Sequence, residues 1–378
     1  MRILITGGAG FIGSNLALRL AGEGHTITVL DSLSPQIHGA DPEQTSPLLA
    51  SILPHVRFVR GSVCDETVVA ECIRDQEAVV HLAAETGTGQ SMYEIRRYAE
   101  VNVGGTALLL DRLTNHPHGI RRVVVASSRA IYGEGKYRAP NGEVVYPPAR
   151  RVEDMKAGRF EPLCDRTGEP LQCLATDEDS RIHPTSVYGI TKHNQEQMIM
   201  TVCPTLGIEP VSLRYQNVYG PGQSLKNPYT GILSIFSTRI LNGNPINVFE
   251  DGRETRDFVF IDDVIDATCR ALFDHGAGNQ VFGIGSGVAT DLLTVARTLV
   301  HSYDRDVPIE VTGAFRVGDI RHNFADLSKA RRLLRFEPRI DFSRGMERFT
   351  SWVKTQEVPK DDYERSIREM TDKGLLKQ

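Results

Sequence analysis

The sequence predicts an α/β fold built on a doubly wound parallel sheet, followed by a smaller mixed α/β lobe. Strand patterns alternate with helical patterns through the first half of the chain, which is the order that a parallel sheet with crossover helices requires. The central strand candidates are also apolar throughout, as strands are when helices cover both faces of a sheet.

The first half supplies six strand candidates and the helices between them. Strands are expected at Arg2–Thr6, His25–Leu30, Val56–Arg60, Ala78–Leu82, Arg122–Ala126 and Pro210–Arg214. The spacing of apolar residues predicts helices over Phe11–Ala21, Glu66–Arg74, Ser91–Asn115 and Val187–Thr205.

The second half mixes short strands with helices, and no single linker separates it from the first. We assign residues 1–213 to the sheet domain, with 135–181 as an insertion and part of 253–278 returning to it, and 214–378 mainly to the second lobe. Strands are expected at Ile246–Phe249, Asp257–Ile261, Val281–Ile284 and Ile309–Thr312, helices near Gly231–Leu241, Asp262–Asp274 and Asp291–His301, and a charged helix or frayed tail at Pro359–Gln378.

The composition of the 378 residues is that of a globular protein, with 40% hydrophobic and 24% charged residues. A net charge of −5 gives no basic footprint for nucleic acid, and no apolar run approaches the ~18 residues that span a bilayer. No signal peptide is visible, and the six cysteines are mostly scattered through elements expected to be buried. We therefore expect a reduced, cytoplasmic protein that binds neither nucleic acid nor membrane.

A glycine-rich turn, Gly7-Gly8-Ala9-Gly10-Phe11-Ile12-Gly13, separates the first strand from the first helix. Glycines there permit a sharp turn, and the free N–H groups of the helix N-terminus suit a pyrophosphate. Asp31 ends the second strand, 18 positions after Gly13, where a carboxylate can accept both hydroxyls of an adenosine ribose. The same carboxylate repels a 2′-phosphate, so we predict a Rossmann-type domain that binds NAD rather than NADP.

Tyr188 and Lys192 stand four apart at the start of a predicted helix, in the run Tyr-Gly-Ile-Thr-Lys, and so lie on one helix face. A nearby ammonium and a cationic nicotinamide both favour the phenolate, which makes the tyrosine a base near neutral pH. Ser127 and Ser128 follow the fifth strand and complete the pattern.

These motifs, with His81-Leu82-Ala83-Ala84, Asn102-Val103, the run Leu213–Gly222 and Arg256-Asp257-Phe258, resemble the extended short-chain dehydrogenase/reductases, the NAD-dependent nucleotide-sugar epimerase/dehydratase family. The resemblance runs from Met1 to about Phe349. It implies that Ser128, Tyr188 and Lys192 form the catalytic triad. It also implies a homodimer formed through the helices Ser91–Asn115 and Val187–Thr205.

The resemblance also implies the binding residues for NAD and for a nucleotide-diphosphate sugar. Arg256 and Arg316 are expected to clamp the diphosphate, since guanidinium groups bind phosphate oxygens in pairs. The cofactor residues are Gly7, Gly10, Phe11, Ile12, Gly13, Asp31, Ser62, Val63, Leu82, Ala83, Ala84, Asn102, Tyr188 and Lys192, and the substrate residues are Ser128, Arg129, Asn217, Gln223, Tyr229, Arg256 and Arg316.

The chain departs from the family pattern in two places. Ser62 stands where members often carry an acid near the adenine, a loss that Asp65 could compensate. By the same resemblance, sugar 4,6-dehydratases and UDP-glucuronate decarboxylases usually carry an acid two residues after the catalytic Ser or Thr, but Arg129 and Ala130 follow Ser128 here. Neither can handle a proton at C5, which leaves hydride transfer and one hydroxyl proton. The same positions argue against a 3,5-epimerase.

We therefore expect a nucleotide-sugar 4-epimerase that forms a transient 4-keto sugar with tightly bound NAD. The runs around Ser128 and Gln216 and the segment Asn227–Gly231 most resemble the branch acting on deoxy-sugar nucleotides, including dTDP-L-rhamnose 4-epimerases. Open alternatives are a UDP-glucose or UDP-glucuronate 4-epimerase, a CDP-sugar 2-epimerase, and a net NAD-dependent nucleotide-sugar oxidoreductase.

An insertion makes the segment between the reacting groups unusually long, because Ser128 and Tyr188 stand 60 positions apart. Cys164 and Cys173 lie within it without a second pair nearby, which falls short of a four-ligand zinc site. We expect no metal, and we expect the insertion to form a flap over the sugar pocket.

Overall fold

The structure is a computed structural model that describes residues 1–229 and 231–377. Its centre is a sheet of seven parallel strands. The strand order reverses between Arg2–Thr6 and Ala78–His81. The loops that follow these two strands run in opposite directions, which leaves a crevice at the carboxyl ends of the strands. Across the sheet the order is Gln280–Ile284, Glu209–Tyr215, Arg122–Ser128, Ala78–His81, Arg2–Thr6, Thr26–Asp31 and Arg57–Arg60.

Helices cover both faces of this sheet, which confirms the predicted doubly wound α/β fold. One apolar layer joins the sheet to residues such as Leu16 and Val264, and a second joins it to Val69, Leu109 and Ile199. The helices that carry these residues are Phe11–Gly22 and Ile261–Phe273 on the first face, and Glu66–Ile73, Gly105–Asn115 and Val187–Thr205 on the second.

The single helix expected over Ser91–Asn115 is divided into shorter elements. Asn102 lies in a π-helical turn within this stretch and is fully buried. Wide turns of this kind are common at functional sites, and here the turn carries a side chain that bonds outside its own helix. The elements are Thr88–Ser91, Ile95–Tyr98, the π turn Ala99–Gly104 and Gly105–Asn115.

The seventh strand of the sheet comes from the second half of the chain. Gln280–Ile284 pairs in parallel with Glu209–Tyr215, although the sequence predicts only a short strand of the second lobe there. Helix Ile261–Phe273 packs beside Phe11–Gly22 on the same sheet. The segment that returns to the sheet therefore extends to Ile284, and the domain boundary at 213/214 stays a prediction.

The second lobe is built on a small mixed sheet. Its strands are Asn217–Tyr219, Thr255–Phe260, Ala289–Asp291 and His322–Asn323, with separate pairs Ile246–Val248 with Ile309–Val311 and Phe315–Arg316 with Leu376–Lys377. Its longer helices are Ile232–Leu241, Leu292–Tyr303, Phe342–Val353 and Tyr363–Asp372.

The remaining helical elements lie outside this lobe. Helix Ser328–Leu334 packs against the edge strand Gln280–Ile284 of the seven-stranded sheet. Short helical turns lie at Pro35–His38, Pro42–Thr45, Pro47–Ile52, Arg129–Tyr132 and His275–Ala277.

The C-terminal segment is ordered on the second lobe rather than frayed. Helix Tyr363–Asp372 is followed by strand Leu376–Lys377, which pairs antiparallel with Phe315–Arg316. Gln378, the last residue of the predicted tail, lies outside the described residues. Along the described chain, no helix is long and apolar enough to cross a membrane.

The insertion is a docked subdomain and not a flap over the pocket, which corrects the expectation from the sequence. Arg150 bonds to Glu134 and Glu250, and Arg321 bonds to Glu250 and Glu161, so buried ion pairs tie it to the second lobe. No described residue of 135–181 lines the cleft at the carboxyl ends of the strands. Its elements are the strands Tyr137–Arg138, Val144–Val145 and Gln172–Cys173 and the helix Val152–Lys156.

The two cysteines of the insertion belong to its own small core. Cys164 and Cys173 pack against a cluster formed by Tyr137, Ala139 and Leu171. Within residues 1–229 and 231–377, no group of three or more His, Cys, Asp or Glu side chains is placed to hold a metal ion.

Candidate active site

A cleft of about 540 Å³ opens at the carboxyl ends of the parallel strands, between the sheet and the second lobe. This is where open α/β sheets bind their ligands. Every residue that the sequence predicts for the site lines this cleft, except Asn102. Thr230, which belongs to the run Asn227–Gly231, lies outside the described residues.

The glycine turn forms a bare backbone cradle at one end of the cleft. Gly7 has φ +68°, and a Cβ on it would lie 2.8 Å from the Ala83 nitrogen. A Cβ on Gly13 would lie 2.4 Å from the Gly7 carbonyl oxygen. Gly10 precedes helix Phe11–Gly22, and no side chain caps the N–H groups there. The turn therefore fits a diphosphate, which needs close backbone approach and free donors.

Asp31 lies beside this cradle with its carboxylate fixed by backbone groups. Its Oδ2 accepts from the Ala9 nitrogen at 3.0 Å, and its Oδ1 accepts from the Leu33 nitrogen at 2.9 Å. His38 Nε2 lies 4.0 Å from Oδ1, and burial lowers the pKa of this imidazole although Asp31 opposes the shift. No Arg or Lys lines the described cleft near Asp31, so this end suits a ribose with two free hydroxyls.

Ser62 stands where members of the family often carry an acid near the adenine, and the structure shows whether Asp65 can replace that acid. Ser62 and Val63 line the cleft, as predicted, whereas Asp65 does not. Asp65 instead caps helix Glu66–Ile73 by accepting from the Val68 nitrogen at 3.2 Å. The suggestion that Asp65 replaces the missing acid is therefore not supported.

Asn102 lies behind the cleft rather than in it. Its Oδ1 accepts from the Glu85 nitrogen at 2.7 Å, and its Nδ2 donates to the Glu85 carbonyl at 3.1 Å and to Thr191 Oγ1 at 2.9 Å. Asn102 thus holds the cleft-lining loop at Glu85 against the helix that carries Tyr188 and Lys192.

The predicted triad is brought together by a close approach of two turns. Ser186 caps helix Val187–Thr205, accepting from the Gly189 nitrogen at 3.1 Å. A Cβ on Gly189 would lie 2.5 Å from the Ala130 carbonyl oxygen, so glycine lets this helix touch the turn after Ser128. The Ser128 side chain acts on the Tyr188 phenol across this contact and lowers its pKa.

Lys192 is buried and directed along its own helix. Its Nζ donates to Gln195 Oε1 at 2.7 Å. Burial lowers the pKa of Lys192 to about 7, although the Glu196 carboxylate opposes the shift. Burial, aided by the Lys192 charge, also lowers the pKa of His81 to about 3, so this histidine is a neutral partner in the hydrogen bonds behind the site.

Arg129 is the charged group that acts on Tyr188. Burial raises the pKa of the Tyr188 phenol, while the Ser128 side chain and the charge of Arg129 lower it. Burial and the charge of Arg256 lower the pKa of Arg129 to about 10, so Arg129 stays protonated at neutral pH. Its guanidinium makes no hydrogen bond within the described chain, which leaves its donors available to the cleft.

The two arginines predicted to bind the diphosphate differ in how many of their N–H donors are already hydrogen-bonded within the protein. Arg256 donates to the carbonyls of Thr255, Arg321 and Ile320 at 2.9, 3.0 and 2.8 Å and to Asp319 Oδ1 at 3.0 Å, so its four terminal donors are occupied. Arg316 lies 3.6 Å from Asp319 Oδ2, and its Nε is buried without a partner among the described residues.

Asp319 joins these arginines at the second-lobe end of the cleft. Burial alone would raise the pKa of its carboxyl, but the charges of Arg256, Arg316 and Arg129 outweigh burial and hold the pKa well below its usual range. Asp319 was missed by the sequence reasoning, although an acid three residues after Arg316 is a usable signal.

Four buried carbonyl or carboxylate oxygens of cleft residues lack a hydrogen-bond partner among the described residues. They are Gln216 Oε1, Asn217 Oδ1, Gln223 Oε1 and Glu254 Oε2, the last of which lies 3.8 Å from Arg321 Nη1. Buried polar atoms are normally hydrogen-bonded, so these oxygens suit the hydroxyl and amide donors of a bound molecule. Glu254 was not predicted. Burial and the charge of Glu250 raise its pKa to about 7.

The sequence matches the model of the NAD dependent epimerase/dehydratase family over residues 3–153 and 167–285. It is 39% identical to a dTDP-L-rhamnose 4-epimerase of Burkholderia thailandensis, covering 93% of this chain and 94% of that protein. It is 29% identical to a putative UDP-glucose 4-epimerase of Methanocaldococcus jannaschii, covering 93% and 98%.

Solved structures of epimerases share the fold. A UDP-glucose 4-epimerase from Thermotoga maritima, with UDP-glucose, superposes with a TM-score of 0.74 at 29% identity, covering 94% of this chain and 99% of that one. A UDP-glucuronic acid 4-epimerase from Bacillus cereus, in complex with UDP-glucuronic acid and NAD, gives 0.75 at 25% identity with the same coverage.

The environment of Asp31 predicts a preference for NAD over NADP. A 2′-phosphate about 4 Å from this carboxylate would cost roughly 1–4 kcal/mol of binding free energy, depending on the local dielectric. Titration of the cofactor-free protein with each dinucleotide measures the difference, and the Asp31→Asn variant should narrow it. Equal affinities of the unsubstituted protein for NAD and NADP would contradict the role assigned to Asp31.

Proposed function

The chain belongs to the NAD-dependent epimerase/dehydratase family, and we propose that it is a nucleotide-sugar 4-epimerase that works through a transient 4-keto sugar. The observation that carries this proposal is the pair Arg129 and Ala130 directly after Ser128. Where a related dehydratase keeps an acid, the cleft here presents a guanidinium and a methyl group. The cleft carboxylates Glu254 and Asp319 lie toward Arg256, and neither shifts the Tyr188 pKa.

In this proposal Tyr188 takes the proton from the C4 hydroxyl and returns one after inversion. NAD, when bound, supplies a group that takes a hydride from carbon and gives it back. The glycine turn and Asp31 would hold it. Ser128 lowers the pKa of the Tyr188 phenol and would orient its hydroxyl. The Arg129 charge favours the phenolate, so the base works below the pH at which a buried phenol would otherwise ionise.

The second lobe would hold the nucleotide diphosphate. Arg316 has an unpartnered Nε and lies against the cleft, so it suits a phosphate oxygen. Arg256 contributes by holding Asp319 and the adjacent backbone. Asn217 and Gln223 offer acceptor oxygens to sugar or ribose hydroxyls, and a ketone that keeps its diphosphate anchored can present its other face.

We infer a dTDP-linked 6-deoxy sugar as the substrate class, supported by the relative that is 39% identical. One observation favours a second candidate, a UDP-glucuronate 4-epimerase. The unpaired guanidinium of Arg129 is complementary to a C6 carboxylate, and the Bacillus cereus structure holds UDP-glucuronic acid. Incubation with dTDP-, UDP- and CDP-sugars without added cofactor, followed by NMR of the products, separates these candidates. A need for stoichiometric NAD would instead indicate a net oxidoreductase.

We further propose a cytoplasmic homodimer. All six cysteines are free thiols, as expected in a reducing compartment. Ile95 and Ile190 are 53% and 47% exposed on the two segments expected to form the dimer contact. Light scattering at micromolar concentration tests the assembly, and a monomer would contradict it.

Removing the positive charge of Arg129 should move the pH dependence of turnover. The active form of Tyr188 is deprotonated, and loss of the charge raises its pKa. The acidic limb of kcat/KM for Arg129→Gln should therefore shift to higher pH by about one unit, with activity at pH 7 reduced and partly recovered at higher pH. Arg129→Lys keeps the charge and should leave the limb near its original position. An unmoved limb in Arg129→Gln would refute the electrostatic role.

The absence of an acid beside Ser128 predicts no exchange at C5 during turnover. With an accepted substrate in deuterium oxide, the product should carry no solvent deuterium at C5 or C4, and weak label at C3 from enolisation of the ketone would not count against the proposal. Stoichiometric deuterium at C5, or loss of the C6 oxygen, would replace the epimerase proposal with dehydratase or 3,5-epimerase chemistry.

A further inference from the structure

The C-terminal strap, residues 359–377, lies directly behind the second-lobe end of the cleft. Its helix Tyr363–Asp372 forms one wall of a small cavity through residues that include Ile367 and Met370. The opposite wall includes Tyr229 and Arg316, which also line the main cleft. Two predicted substrate residues are thus shared between the cleft and the strap.

Glu369 holds the first of these residues through a bifurcated contact. The hydroxyl of Tyr229 donates to Glu369 Oε2 at 2.6 Å, and the hydroxyl of Tyr93 donates to the same oxygen at 3.1 Å. Burial raises the pKa of both phenols, and Glu369 raises it further, so both remain donors at neutral pH. One carboxylate therefore joins three segments that are distant in sequence.

The strap fixes Arg316 through the backbone. Leu376 pairs with Arg316 in a two-stranded antiparallel ladder, and the Val317 nitrogen donates to the Leu375 carbonyl at 2.8 Å. The Arg316 guanidinium lies over the ring of Phe249, 5.1 Å from its centroid. The backbone position of Arg316 at the cleft is therefore fixed by its pairing with the last residues of the described chain.

Separate contacts attach the strap to the lobe. Arg239 Nη1 donates to Glu364 at 3.0 Å and to Asp361 at 3.3 Å, and its guanidinium stacks on the Tyr363 ring at 4.3 Å. Asn244 donates to Asp361 at 2.7 Å. Since these contacts already dock the helix, the bonds of Glu369 to the phenols are not needed for attachment, and their effect falls on Tyr229.

We propose that the C-terminal strap is a wall of the substrate site and that Glu369 is a positioning residue that holds Tyr229 for the nucleotide-diphosphate sugar. This inference rests on the proposed function for its ligand class. Tyr229 lies on the connection that also carries Gln223 and Asn227. If nothing anchored this connection, the conformational entropy lost on ordering it would weaken substrate binding. Glu369 should therefore act on affinity and not on the chemical step.

The test compares five variants of the full chain with NAD bound. Glu369→Ala removes the shared acceptor, and Tyr93→Phe removes a donor that does not line the main cleft. Tyr229→Phe and the double variant Tyr229→Phe/Glu369→Ala together test whether the two positions act through one another. Arg368→Ala is the matched control, because Arg368 is exposed on the same helix and makes no hydrogen bond or ion pair within the described chain. KM and kcat are measured on an accepted sugar nucleotide, and Kd by calorimetry with dTDP and UDP.

Glu369→Ala should raise KM and the nucleoside-diphosphate Kd by about tenfold, with kcat within about twofold and NAD content and Tm unchanged. Tyr93→Phe should raise both constants in the same direction, the double variant should match Tyr229→Phe, and Arg368→Ala should leave all values unchanged. Wild-type KM and Kd in both Glu369→Ala and Tyr93→Phe, or a fall in kcat alone, would overturn the proposal. If no sugar is turned over, the proposed function fails, while the Kd values still decide the role of the strap.

Discussion

Helix Val187–Thr205 touches the turn after Ser128 at Gly189, where a Cβ would lie 2.5 Å from the carbonyl oxygen of Ala130. The other features of the site depend on this contact, because it sets the separation of Tyr188 from Ser128 and Arg129. A larger residue would push the helix off the end of the fifth strand. Asn102 contacts the same helix through Thr191, so two buried contacts hold the helix that carries the phenol.

The contact also determines which charge acts on the phenol. Burial makes ionisation of Tyr188 unfavourable, and Lys192 donates to Gln195 with a pKa lowered to about 7. Arg129 lies on the turn that the helix touches, and its charge lowers the Tyr188 pKa. The same short turn therefore meets two expectations, since Arg129 favours the phenolate and Ala130 stands where a dehydratase would keep an acid.

Local patterns in the sequence were sufficient for the fold class and for most of the cleft. Three features can be recognised from residues that are close together in the sequence, so they need no knowledge of the tertiary structure. They are the glycine turn, Asp31 at the end of the second strand and the spacing of Tyr188 and Lys192. The occupied donors of Arg256 depend on carbonyls about 65 positions away, and the anchor of Tyr229 on Glu369 spans 140 positions. The docked insertion likewise follows from the distant partners of Arg150. Pairings of this kind have no period or spacing to reveal them.

The central claim is that a hydride leaves C4 of one sugar and returns to the same carbon on its other face. A crossover experiment tests it directly, using an accepted substrate deuterated at C4 mixed with an equal amount of unlabelled substrate that carries ¹³C elsewhere. Products of a single turnover should keep deuterium at the inverted C4 and only in molecules without ¹³C. Deuterium in the ¹³C-labelled product, or its loss to solvent or to a free reduced cofactor, would contradict the account.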